Sequence, residues 1–216
     1  YNAGLIYKDK RLVNWDTKFQ TAISDLEVQQ VETEGNLWYI DYYLKDFPDK
    51  YITVATTRPE TLLGDVAVAV NPEDERYSDL IGKTLIVPII KREIKIISDN
   101  YAKLGEGTGA VKITPAHDFN DFEVGKRNNL DVINIFDKKG NIVSDAWVPE
   151  KYRSLDRFKA RVLIVQQLET EKFLNKIEKY THTLPYGDRS GTVIEPFLTD
   201  QWYVNAKELS AKAVDA

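Results

Sequence analysis

Two short segments of this 216-residue chain concentrate the side chains that could do chemistry. The first, Ala55 to Asp65, reads ATTRPETLLGD, a strand turning sharply into a helix start. Thr57, Arg58, Pro59 and Glu60 match a Ser/Thr-x-x-Glu capping box with proline in the first turn. Such an end presents backbone N–H groups without partners, and those of Thr57 to Glu60 suit a phosphate or a carbonyl oxygen gaining negative charge. A plain, well-capped helix start explains the same residues. The second segment, Gly105 to Arg127, reads GEGTGAVKITPAHDFNDFEVGKR. Strand alternation there puts Lys112 and Thr114 on one face, and helical spacing gathers Asp118, Asp121 and Phe122 at a first turn, where a small cationic group could sit. The competing reading makes Asp118 an N-cap and Asp121 an exposed carboxylate favoured by the helix dipole. The glycines meet neither the Walker spacing nor the GxGxxG fingerprint, so no nucleotide loop is read. His117 has no nucleophile at a telling spacing and reads as a turn residue or a hydrogen-bonded support. His182, in THTLPYGDRSG, is weaker still.

The elements that must position these residues follow from periodicity. Tyr1 to Val28 reads as an arm with extended pieces. From Glu27 to Leu44 two β-rich runs flank Glu34-Gly35-Asn36, with Trp38, Ile40 and Tyr42 alternating, which predicts a hairpin. Tyr51 to Thr57 and Val66 to Val70 predict strands, and Pro72 to Leu80 a polar helix closed by Gly82. Leu85 to Ile90, Ile94 to Ile97 and Ala110 to Thr114 are further strands; Pro115 ends the last, and Asp118 caps a helix to about Asn128. Val132 to Phe136 returns to β. Leu155 to Phe173 is the longest helical pattern, with Leu155, Phe158, Val162, Val165 and Leu168 as its apolar repeat. Ile177 to Trp202 is extended and turn-rich, and Ala206 to Ala213 helical. Strands adjacent in sequence favour a mixed, β-rich α+β domain over a regular parallel sheet.

Composition narrows the function. A hydrophobic fraction of 43% supports a sizeable core, and a net charge of −5 opposes a protein that grips long nucleic acid with its whole surface. Any such contact must be local. The chain has no cysteine, which removes disulfides, thiol nucleophiles and Cys-type zinc sites and fits a reducing cytoplasmic setting. With only His117 and His182, far apart, no metal site is expected. The longest apolar stretch, Leu85 to Ile90, is far too short to cross a bilayer, so no membrane partner is expected. The lack of methionine points to a piece cut from a longer chain.

Taken together, ATTRPETLLGDVAVAVNPED, GTGAVKITPAHDFNDFEVGKR and YGDRSGTVIEPFLTDQW closely resemble the editing insertion of valyl-tRNA synthetases, over nearly the whole chain. The isoleucyl and leucyl relatives share the domain, but their counterpart of TTRPET is richer in threonine and carries tryptophan. The resemblance implies a barrel-like β core with flanking helices. It also implies an editing domain over 31–185, with 1–30 and 186–216 as connections to a synthetic domain whose ATP and magnesium site is absent here. Asp121 is implied to hold the α-ammonium of a misattached residue, with Lys112 as its catalytic companion. Thr56, Thr57, Arg58, Glu60 and Thr61 of TTRPET, with Thr114 and Asp118, form the implied substrate-binding set. Where the family usually has an aromatic residue before GTG, this chain has Glu106.

The activity so implied is post-transfer editing, hydrolysis of the ester of threonyl-tRNA(Val), with the unpaired 3′ CCA end and the rest of the synthetase as partners and no cofactor. Valyl-tRNA synthetase against threonine is itself the standard example of a site that cannot strongly reject an added hydroxyl. A second, polar site can then exclude valine, with Thr114 and Lys112 as candidates for lining it. Lys112→Ala is expected to slow hydrolysis with the fold intact. A noncatalytic module docking the tRNA 3′ end and an editing domain of isoleucyl type are the alternatives.

Overall fold

The computed structural model describes residues 1–214; the last two positions of the expected return connection, 215 and 216, lie outside the described residues. Along the chain run β1 (Ile6–Asp16), β2 (Thr21–Ile23), β3 (Val28–Leu44), β4 (Phe47–Thr56), β5 (Ala67–Val70), β6 (Thr84–Ile86), β7 (Glu93–Ser98) and β8 (Ala110–Ile113). Then come α1 (Phe119–Arg127), α2 (Arg157–Thr170), β9 (Leu174–Gly187), β10 (Glu195–Val204) and α3 (Ala206–Val214). The β-rich, mixed α+β expectation holds. A small sheet has the order β10-β1-β2, and a larger one follows β4-β3-β6-β7-β5-β8, with β9 paired to β3. The barrel does not close: β4 and β8 approach each other, but no ladder joins them among the described residues. Pro115, two positions beyond β8, lacks the N–H that a longer ladder would need.

β5 is the centre of the larger sheet. Its AVAV run is buried on both faces, as expected of a strand flanked by neighbours, parallel to β7 and antiparallel to β8. Val68 and Val70 join the main core with Leu62, Leu63, Ile96 and the buried side of α2. Ala67 and Ala69 join a smaller core with Ile113 and Val124 of α1. The sheet thus carries α2 on one side and α1 on the other, and β8 lies where both helices can reach the site.

Several local expectations are corrected. Glu34-Gly35-Asn36 is no hairpin; it lies inside the 17-residue β3, and the reversal comes at Lys45-Asp46. Gly35 is small because the His182 ring of β9 crosses it, where a Cβ would meet Cε1 at 2.4 Å. Pro72 to Leu80 forms turns and a 3₁₀ segment, Ser78–Leu80, rather than a helix. Asn71 and Asp74 side chains accept the N–H groups of Glu73 and Arg76, so local side-chain bonds outcompete helical ones. Leu85 to Ile90 is strand only through Ile86, and Val132 to Phe136 is irregular apart from a bridge between Phe136 and Ile142. On α2 the buried stripe is Arg157, Ala160, Ile164 and Leu168, while Phe158 and Val162 are exposed. The helix is rotated from its apolar repeat because Arg157 is drawn inward by an ion pair with Glu195.

Candidate active site

A cavity of about 310 Å³ opens where β4, the turn after it, β8 and the start of α1 meet. Of the nine expected site residues, Thr56, Thr57, Arg58, Thr61, Lys112, Thr114, Asp118 and Asp121 line it. Glu60 does not; it is fully buried behind the wall. Glu106 lines neither this cavity nor its neighbour and is exposed between two glycines of positive φ, so the position before GTG faces away from the site.

The segment after β4 is a six-residue 3₁₀ turn, Pro59–Gly64, with Arg58 at its cap and no side-chain cap bond, so the expected capping box is absent. Glu60 spends its carboxylate on arginines instead. The proposed row of free N–H groups shrinks as well, because Thr56 Oγ1 accepts the Arg58 N–H at 3.0 Å and Pro59 has none. Thr61 Oγ1 donates to the Arg58 carbonyl at 2.9 Å, which tightens the turn.

Lys112 sits at the cavity floor and is nearly buried. Its Nζ donates to Asp65 Oδ1 at 2.7 Å, Thr61 Oγ1 at 2.9 Å and Thr114 Oγ1 at 2.5 Å, which uses all three ammonium protons. Thr114 Oγ1 donates in turn to Asp65 Oδ1 at 2.5 Å, and the Tyr42 hydroxyl donates to Asp65 Oδ2 at 2.6 Å. Burial first, then the Asp65 charge, pushes the Tyr42 hydroxyl well above its usual pKa, so it remains a donor. The floor is therefore a closed polar network. All three Lys112 protons are thus engaged inside the protein, and its ammonium is the buried counter-ion of Asp65. The second lone pairs of Thr61 and Thr114 remain as acceptors for a substrate hydroxyl.

Asp121 contrasts with this. Asp118 caps α1, its Oδ1 accepting the N–H groups of Asn120 at 2.8 Å and Asp121 at 3.0 Å, and this aims Asp121 back at β8. Asp121 Oδ2 accepts the Thr114 N–H at 2.8 Å, and the carboxyl faces the cavity while only 6% exposed. Asp118 is therefore the N-cap, and Asp121 is a buried carboxylate lining the cavity rather than the exposed one of the competing reading. Burial, followed by the negative charge of Asp118, raises its pKa to about 7; Lys112 and the Thr114 N–H only partly offset them. A cation entering the cavity would relieve that cost.

Arg58 is bound on three sides: Nε to Glu60 Oε1 at 3.4 Å, Nη1 to the His117 carbonyl at 3.0 Å and Nη2 to Glu195 Oε2 at 2.5 Å. Burial opposes its charge, but Glu195 and then Glu60 outweigh burial and hold its pKa above the usual value. Burial alone would raise Glu60; the hydrogen bonds and charge of Arg161, then the charge of Arg58, bring it below the usual carboxylate range. His117 accepts the Ile135 N–H through Nε2 at 2.9 Å and is held neutral by burial, Arg58 and Lys112. It acts as the hydrogen-bonded support expected of it. Asp65 and Glu195, which hold Lys112 and Arg58, and Tyr101, which lines the cavity, are the site residues that sequence reasoning missed. Asp65 closes the ATTRPETLLGD motif, so its place beside the other motif residues was a usable signal; Glu195, 137 positions from Arg58, had none.

Residues 1–216 match the profile described as tRNA synthetases class I (I, L, M and V). The chain is 56% identical over 215 residues to a valine–tRNA ligase of Pelagibacter ubique (strain HTCC1062), covering all of this chain and 24% of that protein. It is 57% identical over 235 residues to one of Rhodopseudomonas palustris (strain ATCC BAA-98 / CGA009), covering all of this chain and 25% of that protein. It therefore spans about a quarter of the length of the curated relatives it matches. Among solved structures it is similar to a LeuRS chain from Agrobacterium radiobacter K84, in a ternary complex LeuRS-tRNA-LeuAMS. The likeness has a TM-score of 0.49 at 20% identity and covers 85% of this chain and 31% of that one. Among the described residues no helix is long and apolar enough to cross a membrane.

Proposed function

The chain belongs to the class I tRNA synthetases of the I, L, M and V group, and from that premise we propose that its cavity hydrolyses the ester of threonyl-tRNA(Val). The observation that carries this reading is Asp121, a buried carboxylate with one oxygen fixed by the Thr114 N–H and a face turned to the cavity. An aminoacyl ester carries an ammonium next to its carbonyl. Pairing that ammonium with Asp121 would fix the carbonyl for attack by water, so positioning supplies much of the rate. The bond that breaks joins the acyl carbon to the ribose oxygen; the water adds hydroxyl to the acyl carbon and a proton passes to the departing ribose. The reaction so described draws on no cofactor. The threonine hydroxyl would donate to Thr61 or Thr114, both held by Lys112, whereas valine would fill the same space without that bond.

In this proposal residues 1–30 and 186–216 connect the domain to the remainder of a cytoplasmic synthetase, which grips the body of the tRNA while the unpaired CCA end enters the cavity. Support comes from the antiparallel pairing of β1 with β10, Ile6 opposite Val204 through Trp15 opposite Glu195, which sets the two arms side by side. The test is incubation of the full-length protein with threonyl-tRNA(Val) and with valyl-tRNA(Val). Faster release of threonine is expected. Binding without release would favour a docking module, and preferential release of valine would favour the isoleucyl type.

A further inference from the structure

Arg58 stands in the wall between two cavities. Beyond the first lies a second of about 330 Å³, whose lining includes Phe119, Phe158, Arg161 and His182, and the two share Thr57, Arg58, His117 and Asp118. Three of the five guanidinium N–H groups of Arg58 go to Glu60, Glu195 and the His117 carbonyl. Each carboxylate is braced from behind by α2. Arg161 meets Glu60 at 2.7 and 2.8 Å, and Arg157 Nε lies 2.9 Å from Glu195 Oε1. Positions 157 and 161 are about one helical turn apart, so both braces leave the same side of the helix. Three guanidiniums against two carboxylates leave a positive remainder. The two uncommitted N–H groups of Arg58, whose side chain is 25% exposed, deliver it to the cavity wall. Asp118 is the opposing charge on that wall, and its Oδ1 is occupied by the N-cap bonds.

We propose that Arg58 binds the phosphodiester linking the last nucleotide of the substrate to the one before it. The last nucleotide then occupies the first cavity and the preceding one the second, and Glu195 and Glu60, braced by Arg157 and Arg161, are positioning residues for the fork. The inference rests on the function proposed above. A phosphate with a nucleoside on each side needs two adjoining chambers with a planar donor between them, and a guanidinium matches phosphate oxygens two at a time. Phe119, exposed at the second cavity, offers a ring on which a base could stack, while the Phe158 ring is already met by the Arg157 and Arg161 guanidiniums.

The test compares two small esters with the full-length protein: threonine on adenosine, and threonine on the dinucleotide CpA, which adds the phosphodiester and one base. Wild-type kcat/KM is expected to favour the dinucleotide by about tenfold or more, about 1.4 kcal/mol, mainly through KM. Arg58→Lys and Glu195→Asp should each narrow that preference to about threefold or less, and the double variant should narrow it no further than Arg58→Lys alone. Arg157→Lys, which keeps the charge but loses the Nε approach to Glu195 and the Nη2 bond to the Val193 carbonyl, provides a second route should Glu195→Asp fail to fold. If neither folds, Glu195 and Arg157 serve the fold alone and the positioning claim is overturned. Equal hydrolysis of both esters by wild type, or a full preference retained in Glu195→Asp and Arg157→Lys, overturns the inference and leaves the proposed function standing. Hydrolysis of neither ester by wild type overturns that function itself.

Discussion

Lys112 and Asp121 line one cavity, but their charges are handled in opposite ways. Lys112 is saturated by Asp65, Thr61 and Thr114. Lys112→Ala would therefore leave the Asp65 charge buried without its ammonium, and a loss of about 3–5 kcal/mol in unfolding free energy is expected by denaturant titration. A loss below about 1 kcal/mol would restore the simpler view that the lysine only serves substrate. Asp121 has no such cation. Its carboxyl is raised from 3.8 to about 7, so between these values the folded protein keeps a proton that the unfolded chain has released. Stability must then fall as pH rises from about 4 to about 7, by up to roughly 4 kcal/mol if the whole shift is felt. Asp121→Asn is expected to raise Tm above wild type at about pH 8 and to match it at about pH 4. Equal Tm values at the higher pH would show that the carboxylate is already balanced.

At the scale of elements, α1 is the piece whose placement decides where Asp121 points. Its cap was legible because Asp118 precedes a helix that needs one, and its end is tied by Arg127 and Asn128 to Asp99 at 2.6 to 2.8 Å. The Arg127 hydrogen bonds lead the effects that lower the Asp99 carboxyl to about 2, against the opposing effect of burial. Its folded pKa lies below the unfolded 3.8, so this tie contributes above the unfolded pKa and is lost as pH falls through about 2. Gly125 lets α1 sit against Pro115, where a Cβ would lie 2.8 Å from the proline Cγ. Alanine would gain about 1 kcal/mol in helix propensity, but a rigid ring cannot retreat, and overpacking of about 1–3 kcal/mol should win. Gly125→Ala is thus expected to lower stability and weaken threonine release together; a higher Tm would contradict that packing. The misplaced helix at 72–80 and the misread stripe of α2 share one cause. Asx turns and a buried ion pair are side-chain events that apolar periodicity does not register.

For the whole molecule, the local motifs were legible because each lies within one stretch of chain. The long-range pairings were not: Asp65 with Lys112, Glu195 with Arg58 and the reach of His182 over Gly35 join residues 47 or more positions apart. An open sheet in place of a barrel has the same origin, since closure depends on whether distant β4 and β8 pair. With a net charge of −5, the chain as a whole does not attract a polyanion. Capture of the threonylated dinucleotide by the full-length protein should therefore weaken only gently with salt, with a logarithmic slope near −0.7 for one phosphate, and a slope several times steeper would point to a broad basic footprint. The central claim is that the Asp121 carboxylate tethers the substrate ammonium, and the pH profile of threonyl-tRNA(Val) hydrolysis by the full-length protein tests it most directly. Wild-type kcat/KM should climb as Asp121 ionises near its pKa of about 7 and fall again as the substrate amine, of pKa about 8, loses its proton. Asp121→Asn should be at least about a hundredfold slower and lack the rising limb; a variant as fast as wild type, with the same profile, would contradict the claim.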